Sequence, residues 1–152
     1  MTRQELDHRV ALLKRLKENL VLQRDKFHHY LNVLDQEKKS IENGSVDHLQ
    51  SQVALEESIV AEIFQVQKVI DPLEAVYRHA YEKEDQEEVS GLKDSLETLR
   101  KQVLEKNTQN RRLLTSKMEE VRQEILKIRR PRKGKSLYSG SDSVSSLIDI
   151  NA

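Results

Sequence analysis

The sequence predicts an all-α protein. Apolar residues recur mostly at steps of three, four or seven along a chain of 152 residues, and only four Gly and two Pro interrupt it. Charged residues make up 34% of the composition against 4% aromatics, which leaves little material for sandwiches, barrels or elaborate loops. Chains rich in Leu, Glu, Lys, Gln and Arg with so few breakers favour long helices. The expected architecture is an elongated antiparallel helical hairpin or three-helix bundle, with a kink at Asp71-Pro72 and a disordered C-terminal tail. Residues 1–130 are expected to form the helical domain and residues 131–152 the flexible tail.

The first helix is predicted from about Gln4 to Glu42. Its stripe is Leu6, Val10, Leu13, Leu16, Leu20, Phe27, Leu31, Leu34 and Ile41, with Arg9, Lys17, Arg24 and Lys38 on the remaining surface. Asn43-Gly44 then breaks the pattern, since both residues tolerate left-handed backbone angles. Ser45 suits an N-cap and Asp47 a first helical turn, where negative charge complements the helix dipole. The second stripe uses Val46, Leu49, Val53, Val60, Ile63, Val66 or Gln67, and Ile70.

Asp71-Pro72-Leu73-Glu74 predicts a kink or a restart. Proline lacks an N–H and clashes inside a helix, but neither matters at a first helical position. Asp71 and Glu74 have the spacing of a capping box. The helix resumes through Val76, Tyr77, Ala80 and Tyr81 and is expected to fray between Glu82 and Glu88. The last helix is predicted from Ser90 or Gly91, with the stripe Leu92, Leu96, Leu99, Val103, Leu113, Leu114, Met118, Val121, Ile125 and Ile128. Asn107 and Asn110 stand where that stripe calls for apolar residues. Either they are buried and fix register, or the helix rotates and exposes them. After Ile128 come a basic run, Arg129 to Lys135, and a serine-rich stretch ending in the apolar segment Val144 to Ala152. Pro, Gly and Ser there argue against further helix, and the short hydrophobic end has the look of a docking peptide.

Composition excludes much chemistry. With no cysteine, disulfides and thiolate sites or nucleophiles are ruled out. Neither a Gly-x-Ser-x-Gly elbow nor a phosphate-binding glycine loop is present. Glu5 with His8, and Asp25 with His28, have the Glu-x-x-His spacing of di-iron bundles, but both pairs lie on one helix and one has Asp for Glu. Solvated polar side chains explain them better than a metal, and no cofactor is expected. The 26 basic and 26 acidic residues cancel, so there is no whole-molecule attraction to nucleic acid or an acidic membrane. Apolar runs are too short for membrane insertion, and the N-terminus lacks the apolar core of a signal peptide, so a soluble cytoplasmic protein without enzymatic activity is expected. The basic run suits a helix C-terminus without any ligand; nucleic acid, anionic lipid or an acidic partner are the other readings.

The stretch Leu31-Asn32-Val33-Leu34-Asp35-Gln36-Glu37-Lys38-Lys39-Ser40-Ile41-Glu42-Asn43-Gly44-Ser45-Val46-Asp47-His48-Leu49 resembles the FlgN family. There a leucine-rich helix with a glutamate meets a short turn, and an aspartate and a leucine open the next helix. Asn107-Thr108-Gln109-Asn110-Arg111-Arg112-Leu113-Leu114 is similar to the family's asparagine-then-leucine-pair signature, and the tail with Tyr138 ahead of Gly140 also fits. The resemblance implies a chaperone of flagellar type III secretion. Such a protein binds the terminal helical regions of hook–filament junction proteins of the FlgK and FlgL type and delivers them to the export gate. It also implies that the last helix and the C-terminal region carry the partner contacts. Leu113, Leu114, Met118, Val121, Ile125 and Ile128 are the expected client surface, with ordinary intramolecular core as the other reading of the same residues. A tail tyrosine docks on the gate protein FlhA in that family, and Tyr138 is the matching position. The rival from another class is a self-associating coiled-coil scaffold or adapter.

Overall fold

The structure, a computed structural model, describes residues 2–80 and 83–135, with side chains over 2–78 and 86–129. The described residues form three helices: α1 (Arg3–Asn43, 41 residues), α2 (Val46–Ala80, 35 residues) and α3 (Lys83–Lys135, 53 residues). The chain divides into two compact units, residues 1–113 and residues 114–152. The first is a three-helix bundle, and the second begins with the distal part of α3.

Local chemistry sets the helix ends. Thr2 caps α1 through a reciprocal pair: its hydroxyl accepts from the Glu5 N–H at 3.2 Å, and the Glu5 carboxylate accepts from the Thr2 N–H at 3.1 Å. At the other end Gly44 adopts φ 67°, ψ 24°, the left-handed conformation that costs glycine nothing. Its N–H donates to the Ile41 carbonyl and the Ser45 N–H to the Ser40 carbonyl, the double closure of a Schellman motif. The Ser45 carbonyl then accepts from the Leu49 N–H, so one short turn ends α1 and opens α2.

Inter-helix pairs fix the topology of the bundle. Gln23 meets Gln67, Lys26 meets Glu62 and Tyr30 meets Glu56, so α1 and α2 run antiparallel. Lys17 pairs with Glu88 and Asp35 with Lys106, each across 71 residues, so α1 and α3 run parallel in constant register. Lys93 reaches Glu74 at 3.4 Å and ties α3 to α2. The result is up-down-up.

Two apolar clusters form the core. One joins Leu13, Leu16 and Leu20 to Val66, Ile70, Leu73, Tyr77 and Val89. The other joins Tyr30, Val33 and Leu34 to Ile59 and Val103. Much of the predicted stripe is therefore core, but Leu6, Val10, Val46, Val53 and Val76 are exposed. Tyr30, Val33 and Ile59, which the stripe omits, are buried in place of Leu31 and Val60, which are only partly covered.

Two predicted boundaries of α3 differ, whereas at Asp71-Pro72, where a kink or a restart was expected, α2 runs on as one helix and does not restart. The Asp71 carboxylate accepts from Gln67 Nε2 at 2.7 Å and Glu74 faces Lys93, so those two acids bind side chains rather than form a capping box. α3 begins at Lys83, within the stretch expected to fray, and Val89 near its start is buried in the first cluster. Glu84, Asp85, Glu87 and Glu88 occupy its first turns, where negative charge favours the helix dipole. At the far end the described part of α3 runs through Pro131 and Gly134 to Lys135. Positions 127–135 carry six basic residues. Tyr81, Tyr138 and the serine-rich stretch lie outside the described residues.

Candidate partner-binding surface

The bundle interior holds a polar layer. Asn110 is buried and donates to the Leu34 carbonyl at 2.8 Å, and half-buried Asn107 points at the Tyr30 hydroxyl at 3.5 Å. Of the two options for these asparagines, burial at the inter-helix seam is what the fold adopts. The Tyr30 hydroxyl donates to a Glu56 carboxylate oxygen at 2.6 Å. Glu37, only 5% exposed, comes carboxyl to carboxyl with Glu56 and also meets Asn110. Burial first, then the hydrogen bond and negative charge of Glu56, push the Glu37 carboxyl up to about 8, with Asn110 opposing the shift. The same desolvation, with Glu56 as hydrogen-bond acceptor and neighbouring charge, raises the Tyr30 phenol well above its ordinary 10.0. A second polar crossing lies at Gln23, whose amide donates to the Ile63 carbonyl at 3.0 Å and to Gln67 at 3.2 Å.

These groups hold three helices in register. They do not converge on a cavity with a nucleophile or a metal. Among the described residues no group of three or more His, Asp or Glu is placed to share an ion. Glu5 spends its carboxylate on the α1 cap, and His8, Asp25 and His28 are exposed. An open cleft of about 560 Å³ between α1 and α3 is lined by Lys17, Glu18, Val21, Glu88 and Leu92, with Lys17 and Glu88 paired across it. Among the described residues no helix is long and apolar enough to cross a membrane.

The second unit differs from the first. Leu114 is 37% exposed, Met118 65%, Val121 54%, Ile125 48% and Ile128 64%. Their spacing alternates four and three residues, the spacing of a coiled-coil seam. Leu113, the last residue of the bundle unit, is half-buried. Of the six residues expected to touch a client, five are thus exposed apolar positions. Lys117 pairs with Glu120 at 3.6 Å and Arg122 with Glu119 at 3.8 Å along the same helix. Those pairs leave the seam itself uncovered. Tyr30, Glu37 and Glu56 stand on none of the predicted stripes, although Glu37 and Glu56 fall within seven-residue gaps of them.

The first unit thus closes its own core, and the described part of the second is an amphipathic helix with exposed apolar residues. The chain belongs to the FlgN family, matching it as FlgN protein over residues 1–145. That is a family of flagellar export chaperones, whose members bind hook-associated proteins. A protein of Treponema pallidum (strain Nichols), described as an uncharacterized protein, is 34% identical over 148 residues, covering 97% of this chain and 94% of the relative. No solved structure matches the chain.

Proposed function

We propose that this protein is a cytoplasmic export chaperone for hook–filament junction proteins of the FlgK and FlgL type, and that it delivers them to the export gate. It acts by binding and without catalysis. The observation that carries the reading is the bare seam Leu114, Met118, Val121, Ile125 and Ile128, with Leu113 at its bundle end. An amphipathic segment of a subunit awaiting assembly lays its apolar face on such a stripe and orders as it binds. Ordering consumes part of the contact energy, which keeps affinity moderate and release easy at the gate.

The test is calorimetric titration of the full chain with the FlgK and FlgL proteins of its own source. Saturable one-to-one binding is expected, and Val121→Asp with Ile125→Asp is expected to reduce it at least a hundredfold, because each buries a charge in the apolar contact. Wild-type heat unchanged by the double substitution would sink the surface, and no heat with either subunit would sink the reading. Tyr138 is assigned to FlhA docking. Tyr138→Ala is expected to leave client affinity intact and weaken capture of the FlhA cytoplasmic domain; equal capture removes that role.

One observation also favours a second reading. A four–three seam is self-complementary in principle, and two copies can pair through it as a coiled-coil scaffold. Sedimentation velocity over a range of concentrations separates them. A monomer that binds FlgK or FlgL one to one is a chaperone, whereas a dimer dispersed by Val121→Asp with Ile125→Asp is a scaffold.

A further inference from the structure

The seam Leu114, Met118, Val121, Ile125 and Ile128 has two edges, and its spacing fixes which residues stand on them. One edge holds the residues that follow Leu114, Val121 and Ile128, namely Thr115, Arg122 and Arg129. The other holds Lys117 and Glu124, which precede Met118 and Ile125. Edge positions lie against the partner when such a seam is paired, and their charges set which partner is accepted. Lys117, Arg122 and Arg129 are basic against the single acid Glu124, and the first edge holds no acid at all. Glu119 and Glu120 stand off both edges.

These cations are open to a partner. Arg122 lies 3.8 Å from Glu119 and Lys117 lies 3.6 Å from Glu120, with the Arg122 side chain 73% exposed. Exposed pairs of that kind are weak and give way readily. Exposed Arg129 forms no ion pair with any described residue. A second copy of the chain does not answer the basic edge. Paired parallel, it sets Lys117 against Arg122; paired antiparallel, it sets the two arginine-bearing edges against each other.

We propose that the partner segment held by distal α3 is an amphipathic helix whose apolar stripe is flanked by acidic residues, and that these meet Arg122 and Arg129. This rests on the seam being the client surface. The apolar residues supply affinity, while the basic edge selects among apolar helices by accepting an acidic flank and repelling a basic one. The same charges speed encounter, and salt screens them.

The experiment titrates full-length FlgK and FlgL into the full chain at low and high salt. The chains compared are wild type, Arg122→Gln with Arg129→Gln, Arg122→Glu with Arg129→Glu, Lys127→Gln, and Val121→Asp with Ile125→Asp. At low salt the neutral pair is expected to lose about three- to tenfold in affinity and the reversed pair more. Lys127, which stands off both edges, is expected to matter little, and all of these charge variants converge on wild type at high salt. Equal losses at both salts would mean that the substitutions merely disturb the helix, and an equal loss from Lys127→Gln would make the effect one of overall charge; either overturns the proposal. Unchanged affinity in both arginine variants, with binding abolished by the Asp pair, overturns it and leaves the chaperone reading standing. The basic edge belongs to a lipid surface, again overturning it, if the arginine variants keep client affinity but lose wild-type binding to vesicles of phosphatidylglycerol and phosphatidylcholine. No client binding by wild type, or a wild-type dimer dispersed by the Asp pair, removes both.

Discussion

Glu37→Gln is expected to flatten the pH dependence of the bundle's stability and to make it more stable than wild type on the alkaline side. In the folded chain the Glu37 carboxyl is pushed from its ordinary 4.5 up to about 8 by burial and by Glu56. Between those values the folded state keeps a proton that the unfolded state has given up. Wild-type stability therefore falls as pH rises through that window, by at most about 1.4 kcal/mol per unit for one proton. Below the window both states are protonated, and the contribution is fully present. The groups facing Glu37 are Tyr30 on the same helix, Glu56 from α2 and Asn110 from α3, with Arg111 near enough to act on Tyr30. None of these neighbours supplies a cation against the Glu37 carboxylate, so ionising it places a second negative charge beside Glu56. A glutamine amide at position 37 still donates to Glu56 and has nothing to ionise. Urea unfolding of both chains between pH 5 and 9 decides the matter. Curves that nearly coincide at pH 5, separate progressively toward pH 8 and run parallel beyond it are the expected pattern; curves parallel over the whole range would place the titrating group elsewhere.

The polar layer also marks the limit of what sequence periodicity reveals. The apolar stripe of α1 steps by seven from Leu20 to Phe27 and from Leu34 to Ile41, and α2 steps by seven from Val53 to Val60. A seven-residue step passes over one core position. Gln23, Glu37 and Glu56 stand at those places, two of them buried and the third half-buried, and Asn110 fills the longer gap between Val103 and Leu113. The pattern predicts that something faces inward there, but the partners that make a buried carboxyl tolerable come from other helices. Gln23 finds the Ile63 carbonyl and Asn110 the Leu34 carbonyl only once the three helices are in register. Helix number, the Asn43-Gly44 turn and most of the core were legible because they depend on local spacing and backbone freedom. The start of α3 was not, because a run of acids gives no apolar period even where a dipole favours it. The course of α3 past residue 130 was obscured by Pro131, whose cost inside a helix is real but local.

Leu20→Ala and Met118→Ala are expected to separate folding from binding. Leu20 is 1% exposed within the cluster of Leu16, Ile70 and Leu73, so its truncation removes apolar contact and leaves a cavity. The expected cost is about 2–5 kcal/mol, a large share of the roughly 5–15 kcal/mol that holds a typical domain together. Met118 is 65% exposed, and its truncation is expected to change stability by no more than about 0.5 kcal/mol. Client affinity should rank the two in reverse. Met118→Ala loses apolar contact with the bound subunit, while the folded fraction of Leu20→Ala retains the whole seam. Urea unfolding and calorimetric titration on the same preparations give both rankings. If Met118→Ala lowers stability as much as Leu20→Ala, the seam belongs to the protein's own core, and the client surface has to be sought on another face. If Met118→Ala costs affinity alone, the bundle supplies the stability and distal α3 is free for a partner.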